Sequence, residues 1–378
     1  MAHGAVRGEL HTLECLMTVF DPPTDSAARD GLTSAMTRSS QVERELTRDS
    51  ARLRVLTGDR PTGPLHLGHY LGTLRNRVRL QDVGVEVLLV VADYQVITDR
   101  DSTAAIAGNV LELMADHLAT GIDPAVTTIF AHSAVPALNQ LVLPFLSLVT
   151  DAELRRNPTV KAELAATRSR GLSGLLLTYP VHQAANILFC GGNLVPVGRD
   201  QLPHLETTRL VARRFNERYG GGRTVFPEPD ALLSEAPLLL GTDGAKMSKS
   251  SGNTIALRDS AEQTAALIRG ARTDSERTIT YEPIRRPEVA SLLQIAALCA
   301  GSQPELIAEQ IGHGGAGELK RVVTESVNEH LRPLRHRRHE LAADPGYLLD
   351  VLRVGNARAN EIAEHTLDEV RTVMGMKY

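Results

Sequence analysis

From residue 52 onward the chain alternates short apolar runs with longer amphipathic ones, a pattern that predicts strands separated by helices. Arg54 to Thr57 reads as a short buried strand, and Leu65 to Gln81 carries the 3.6-residue period of a helix. Glu86 to Ala92 is apolar after its first residue, as in a strand covered on both faces. A helix over Ser102 to Thr120, capped by Ser102, follows, then a strand at Thr127 to Ala131 and a helix at Leu138 to Val149. Gly171 to Cys190 reads as a helix interrupted at Tyr179-Pro180, Leu194 to Val197 as a strand, and Asp200 to Tyr219 as the helix after it.

Strands alternating with helices imply a doubly wound parallel sheet, in which ligands bind beyond the carboxyl ends of the strands. From Arg258 the pattern holds no strong strand, only helical segments at 258–271, 287–300, 303–312, 317–342 and 347–374. Residues 1–50 are polar, include Pro22-Pro23, and predict a poorly ordered extension with a short helix over Gln41 to Asp49. The expected class is α/β. A flexible polar extension at 1–50 precedes a Rossmann-type parallel-sheet catalytic domain at 51–255 and an all-helical domain at 256–378.

A length of 378 residues exceeds what one hydrophobic core usually serves. With 42% hydrophobic and 23% charged residues the balance is that of a soluble globular protein, and no uncharged stretch has membrane-spanning length. The start lacks the basic-then-apolar layout of a secretory signal. The three cysteines (Cys15, Cys190, Cys299) have no paired spacing, which argues against a disulfide framework or a thiolate metal site and suits the reducing cytoplasm. The net charge of -4 does not announce a nucleic-acid partner, but Asp151 to Arg223 holds eleven Lys/Arg against six Asp/Glu, enough to meet a phosphate backbone. Tryptophan is absent altogether.

Two strings carry chemistry. His66-Leu67-Gly68-His69 follows the first strand across a turn running from Gly58 to Gly63. Such a turn exposes backbone N–H groups, and the helix after it aims its positive end at the same place. His66 and His69, three apart, lie on one helix face and can reach phosphate oxygens, stabilising charge that develops only during transfer. Lys246-Met247-Ser248-Lys249-Ser250 lies between glycines at 241, 244 and 252, so two ammonium groups on a loop can close over a triphosphate. Alone, the histidine pair reads by default as surface or satisfied core and the lysine string as an exposed loop; together on an α/β background they describe adenylyl transfer from ATP.

These strings resemble the two signatures of class I aminoacyl-tRNA synthetases. Tyr179-Pro-Val-His-Gln-Ala-Ala-Asn-Ile-Leu188 is similar to the amino-acid-binding helix of tryptophanyl-tRNA synthetases, and Val197-Gly-Arg-Asp-Gln-Leu-Pro-His204 to that family's GxDQ motif. The likeness runs from about Leu53 to the C-terminus. It implies that His66, His69, Lys246 and Lys249 stabilise adenylate formation. Arg60, Pro61, Thr62, Gly68, Met247, Ser248 and Ser250 would line the nucleotide. Gly198, Arg199 and Asp200 would lie at the ribose and Leu238 beside the adenine. It further implies that Tyr179 and Gln201 hold the α-amino and carboxylate ends of the amino acid, with Gln183, Gln95, Leu56 and Asn186 around its side chain. ATP with its Mg2+ would be the cofactor, with no protein metal site. The implied partners are L-tryptophan, tRNA(Trp) and a second copy of the chain, without a membrane. The helical region would read the anticodon, with Arg332, Arg335, Arg337, Arg338, His336 and His339 as its basic stretch, and the Asp151 to Arg170 segment would lie at the dimer contact.

Some positions depart from the family pattern. Residue 186 is normally an aspartate accepting the indole N–H; Asn186 keeps an acceptor oxygen and loses the ionic component. Arg60, Arg199, Gln183 and Gln95 are similar to residues of the second, auxiliary bacterial type, which is associated with tolerance to tryptophan-mimicking inhibitors. The alternatives are a paralogue that activates a modified tryptophan, or a non-catalytic partner that binds tRNA or nucleotide. A tyrosyl enzyme fits less well, because Ala184, Ala185 and Asn186 offer space and no carboxylate for a phenol.

Overall fold

The computed structural model describes residues 26–98, 103–158, 160–161, 173–198, 201–233 and 239–378. Among these residues five strands, β1 (Arg54–Asp59), β2 (Glu86–Val91), β3 (Thr128–Ala131), β4 (Leu194–Val197) and β5 (Asp230–Leu233), form one parallel sheet in the order β3-β2-β1-β4-β5. The longer helices are α1 (Ser26–Asp49), α2 (Arg75–Asp82), α3 (Ile106–Ala119), α4 (Gly174–Leu188), α5 (Leu202–Tyr219), α6 (Ala261–Gly270), α7 (Pro287–Ala300), α8 (Pro304–Ile311), α9 (Gly315–Ala342) and α10 (Pro345–Val373). The strand order reverses between β1 and β4, so the crevice for a ligand lies beyond the carboxyl ends of those two strands.

The chain divides into two compact units. One contains the sheet and comprises Arg38–Leu65, the described parts of His69–Ala236, and Leu334–Tyr378. The other is helical and comprises the described parts of Met1–Thr37 and Pro237–Pro333, together with His66–Gly68. These divisions differ from the expected boundary at 255/256. The reason lies in α10: Ala359, Ala363, Leu367 and Val370 are buried in one cluster with Leu56, Leu88, Val90 and Phe130 of the sheet. Side chains of α10 also bond the sheet's loops, Asn356 Oδ1 accepting from the Ala131 N–H at 2.8 Å and Asn360 Nδ2 donating to the Ala134 carbonyl at 2.8 Å.

Several elements differ from their sequence expectation. In place of a short helix in a loose extension, α1 spans 24 residues. Val42 and Leu46, one turn apart, are buried with Val55, Val87, Leu194 and Leu232 on one side of the sheet. Arg38 pairs with Asp230 at 2.6 Å, and Ser39 Oγ accepts the Leu233 N–H at 3.0 Å, which satisfies a backbone donor of the edge strand β5. Strand β5 has no counterpart among the sequence expectations, since Asp230-Ala-Leu-Leu233 is too short to show a period. Helix α4 is not interrupted at Pro180. The missing hydrogen bond is outweighed by burial of Val181, Ala184, Ala185, Ile187 and Leu188 along the same helix. The segment expected as one helix at Leu138 to Val149 is two, Pro136–Gln140 and Val142–Leu146, because Pro144 has no N–H to continue the first. Ser102, the expected cap of α3, lies outside the described residues, and α3 starts at Ile106.

In the helical unit, α6 opens with a capping box in which Ser260 and Gln263 exchange side chain and backbone bonds. Arg286, just before α7, is buried and grips Asp274 through two bonds of 2.7 Å and the Thr278 carbonyl through another of 2.7 Å. Among the described residues beyond 258 there is no strand.

Candidate active site

In the sheet unit, β1 runs two residues further than expected, through Gly58 and Asp59. A Cβ on Gly58 would stand 2.1 Å from the Val90 carbonyl oxygen, so only glycine lets β1 approach β2 this closely before the turn. Asp59 closes the strand in a buried charge network. Arg77 of α2 bonds its carboxylate and, at 3.2 Å, the Gly58 carbonyl, while His117 Nε2 of α3 lies 3.4 Å away. Burial pushes the Asp59 carboxyl up, but the charges of Arg77, His117 and His69 outweigh it and hold the group well below its ordinary range. The chain then passes Arg60, Pro61 and Thr62, turns at Gly63 with φ 139°, and becomes helical from Leu67 through a π-type turn at Tyr70–Leu74 into α2.

Helix α4 carries the next group of candidate residues in the sheet unit. Ser173 caps it by accepting the Leu176 N–H at 3.1 Å. Tyr179, Gln183 and Asn186 recur at spacings of four and three and therefore share one face. The Tyr179 hydroxyl donates to Gln95 Oε1 at 3.5 Å, and its ring meets His204 of α5 edge-on with centroids 5.4 Å apart. Asn186 is only 2% exposed, and its Oδ1 has no hydrogen-bond partner; Gln183 Oε1 is likewise buried without one. A buried acceptor left unmade is costly, so both oxygens suit a donor brought by a ligand. Leu56 of β1 joins the core cluster that includes Ala184 and Ala185. His132, after β3, bonds Asn139 Oδ1 through Nε2 at 2.8 Å and meets the Tyr94 ring edge-on; burial lowers its pKa.

In the helical unit the lysine loop is closely tied. Leu240 and Lys246 form an antiparallel bridge, and Gly244 turns the chain between them with φ 82°. Asn253 organises the rest: its Oδ1 accepts the Ser248 N–H at 2.9 Å, and its Nδ2 donates to Asp243 Oδ1 at 2.8 Å and to the Lys246 carbonyl at 3.1 Å. Met247 is buried while Lys246 is exposed. The loop's exit then pairs with the histidine string, through a bridge between His66 and Ala256 and a bond of 2.9 Å from the Leu67 N–H to the Ile255 carbonyl. A side chain on Gly68 would stand 3.2 Å from Met247 Sδ and 3.1 Å from the His66 ring, so glycine permits the two strings to meet.

The expected site residues thus fall into two sets. Leu56, Arg60, Pro61, Thr62, His69, Gln95, Tyr179, Gln183, Asn186, Gly198 and Gln201 belong to the sheet unit, and His66, Gly68 and Lys246 through Ser250 to the helical unit. Arg199, Asp200 and Leu238 lie outside the described residues. The basic stretches are less free than their composition suggests. Arg155, Arg209, Arg213 and Arg214 pair with Asp151, Glu206, Glu228 and Glu153, and Arg332 pairs with Glu329. Arg338 is buried in pairs with Asp116 and Glu112, so it does not belong with the solvent-facing basic residues of α9. Sequence reasoning missed Asp59, Arg77 and Asn253, whose roles rest on partners far away or on loop conformation; the string Ser251-Gly252-Asn253 was the one available hint.

Residues 48–332 match the family model of tRNA synthetases class I (W and Y). The chain is 42% identical over 331 residues to the tryptophan–tRNA ligase of Treponema pallidum and 38% identical over 333 residues to that of Clostridium longisporum. Each match covers 86% of this chain and 97% of the relative. A crystal structure of tryptophanyl-tRNA synthetase from Campylobacter jejuni, complexed with ADP and tryptophan, superposes with a TM-score of 0.74 at 30% identity, covering 85% of this chain and all of the other. The chain belongs to the class I tRNA synthetases for tryptophan and tyrosine and is an aminoacyl-tRNA synthetase.

Proposed function

We propose that this synthetase is a tryptophan–tRNA ligase. A carboxylate oxygen of L-tryptophan attacks the α-phosphorus of ATP, the α–β P–O bond breaks, and pyrophosphate leaves. A terminal ribose hydroxyl of tRNA(Trp) then attacks the adenylate carbonyl and AMP departs. His66, His69, Lys246 and Lys249 meet the phosphates and favour the charge that builds on them during transfer. Mg2+ arrives with the nucleotide. Arg60 to Thr62, Gly198 to Asp200 and Leu238 hold the nucleoside side, and Tyr179 and Gln201 orient the amino acid. The enzyme works in the cytoplasm as a homodimer, with the helical region meeting the anticodon.

The observation that carries the substrate is the Asn186 amide, whose buried Oδ1 lacks a partner on the same helix face as Tyr179. An indole N–H supplies the missing donor. ATP–pyrophosphate exchange tests the assignment: exchange with tryptophan and none with tyrosine is expected, and exchange with tyrosine alone overturns it. A second reading, an indole bearing an extra donor, is favoured by the unpartnered Gln183 Oε1. A higher kcat/KM for a hydroxytryptophan than for tryptophan in the same assay would select it.

A further inference from the structure

Among the described residues, the sheet unit also holds a buried ion cluster apart from the network at Asp59, and it bears on the backbone that leads into the histidine string. Asp116, near the end of α3, is fully buried. Its Oδ2 accepts the Leu65 N–H at 3.0 Å, and its Oδ1 accepts from Arg338 Nε at 2.6 Å. The same guanidinium donates through Nη2 to Glu112 Oε2, one helical turn back on α3. Leu65 is itself fully buried, and the residue after it is His66.

We propose that Asp116 and Arg338 are positioning residues for adenylyl transfer: together they hold the Leu65 amide, and with it the chain on which His66 is carried. Between Gly63 and the helical turn that starts at Leu67 the main chain belongs to neither strand nor helix, and Pro64 has no N–H to offer. A side chain therefore supplies the Leu65 partner, and α3 delivers it. A carboxylate buried this deeply persists only with its charge answered, and Arg338 answers it across 222 residues of sequence. Well-packed apolar residues would stabilise the fold as well as such a pair does. What they cannot do is accept the Leu65 N–H. The pair therefore serves placement of the backbone more than stability.

This inference rests on the adenylate-forming reading above, and two double variants test it without burying an unpaired charge. Asp116→Leu with Arg338→Met removes the charges and the acceptor, whereas Asp116→Asn with Arg338→Met removes the charges and keeps an acceptor oxygen. The first is expected to lose about 100-fold in kcat of ATP–pyrophosphate exchange, with tryptophan binding held within about threefold, and the second to recover most of that loss. Amide hydrogen exchange at Leu65, read by mass spectrometry in the same proteins, is expected to rise in the first and return toward wild type in the second. Equal activity of the two variants, or unchanged Leu65 protection, would overturn the proposal. A wild-type enzyme with no exchange on any tryptophan would instead overturn the functional reading, while the Leu65 protection would still decide the structural claim.

Discussion

Gly355 of α10 lies against the Ile129 carbonyl of β3 so closely that a methyl group added there would stand 1.7 Å from the oxygen. This contact lets the last helix of the chain lie along the sheet, with Asn356 beside it bonding the Ala131 amide. Gly355→Ala must push helix and strand apart, and a loss of about 3 kcal/mol is expected from the overpacking. Urea unfolding measures it. Glu364→Ala, on the exposed side of the same helix, should leave the midpoint nearly unchanged.

The network at Asp59 sets a pH dependence. Its carboxyl has a folded pKa below the ordinary value, so its contribution is fully present above the unfolded pKa, near about 4, and is lost as pH falls toward the folded one. Arg77→Met leaves the carboxylate buried without its main partner and should cost about 3–5 kcal/mol at pH 7. Stability measured between neutral pH and strong acid should therefore fall less steeply in the variant than in wild type. Parallel curves would show that Asp59 does not supply this dependence.

Asn186→Ala removes the acceptor assigned to the indole. The KM for tryptophan in the exchange reaction should rise about tenfold, the worth of one neutral buried hydrogen bond, while the KM for ATP stays near wild type. An unchanged tryptophan KM would place the indole N–H elsewhere.

Asn253 ties the Ser248 amide and the Lys246 carbonyl to Asp243. Asn253→Ala cuts all three bonds and frees the loop that carries both lysines. A fall of about tenfold or more in kcat/KM for ATP is expected, with tryptophan binding at equilibrium unaffected. Steady-state exchange and equilibrium dialysis separate the two effects.

Helix α1 begins before the residues matched by the family model, yet it contributes to the core. Val42→Ala should destabilise the protein by about 2 kcal/mol, read from thermal or denaturant unfolding. An effect below a few tenths would mean that the helix does not pack as described.

Local pattern was enough for much of this molecule. The short, β-branched apolar run Val87 to Val91 reads as a covered strand, and the two strings around His66 and Lys246 come with the glycines of a turn and a loop. Tyr179, Gln183 and Asn186 share a helix face because their spacing follows the helical period. Tertiary structure decided what period and composition do not encode. Asp230–Leu233 became a strand because a neighbouring strand and a helix satisfy its backbone, α10 joined the sheet because Gly355 admits it, and Arg338 left the basic surface because Asp116 waits beneath it. Hydrophobic period is a property of consecutive residues, so it is written in the sequence. The partner of a buried charge or an edge amide is chosen by how distant segments pack, and no local pattern carries that choice.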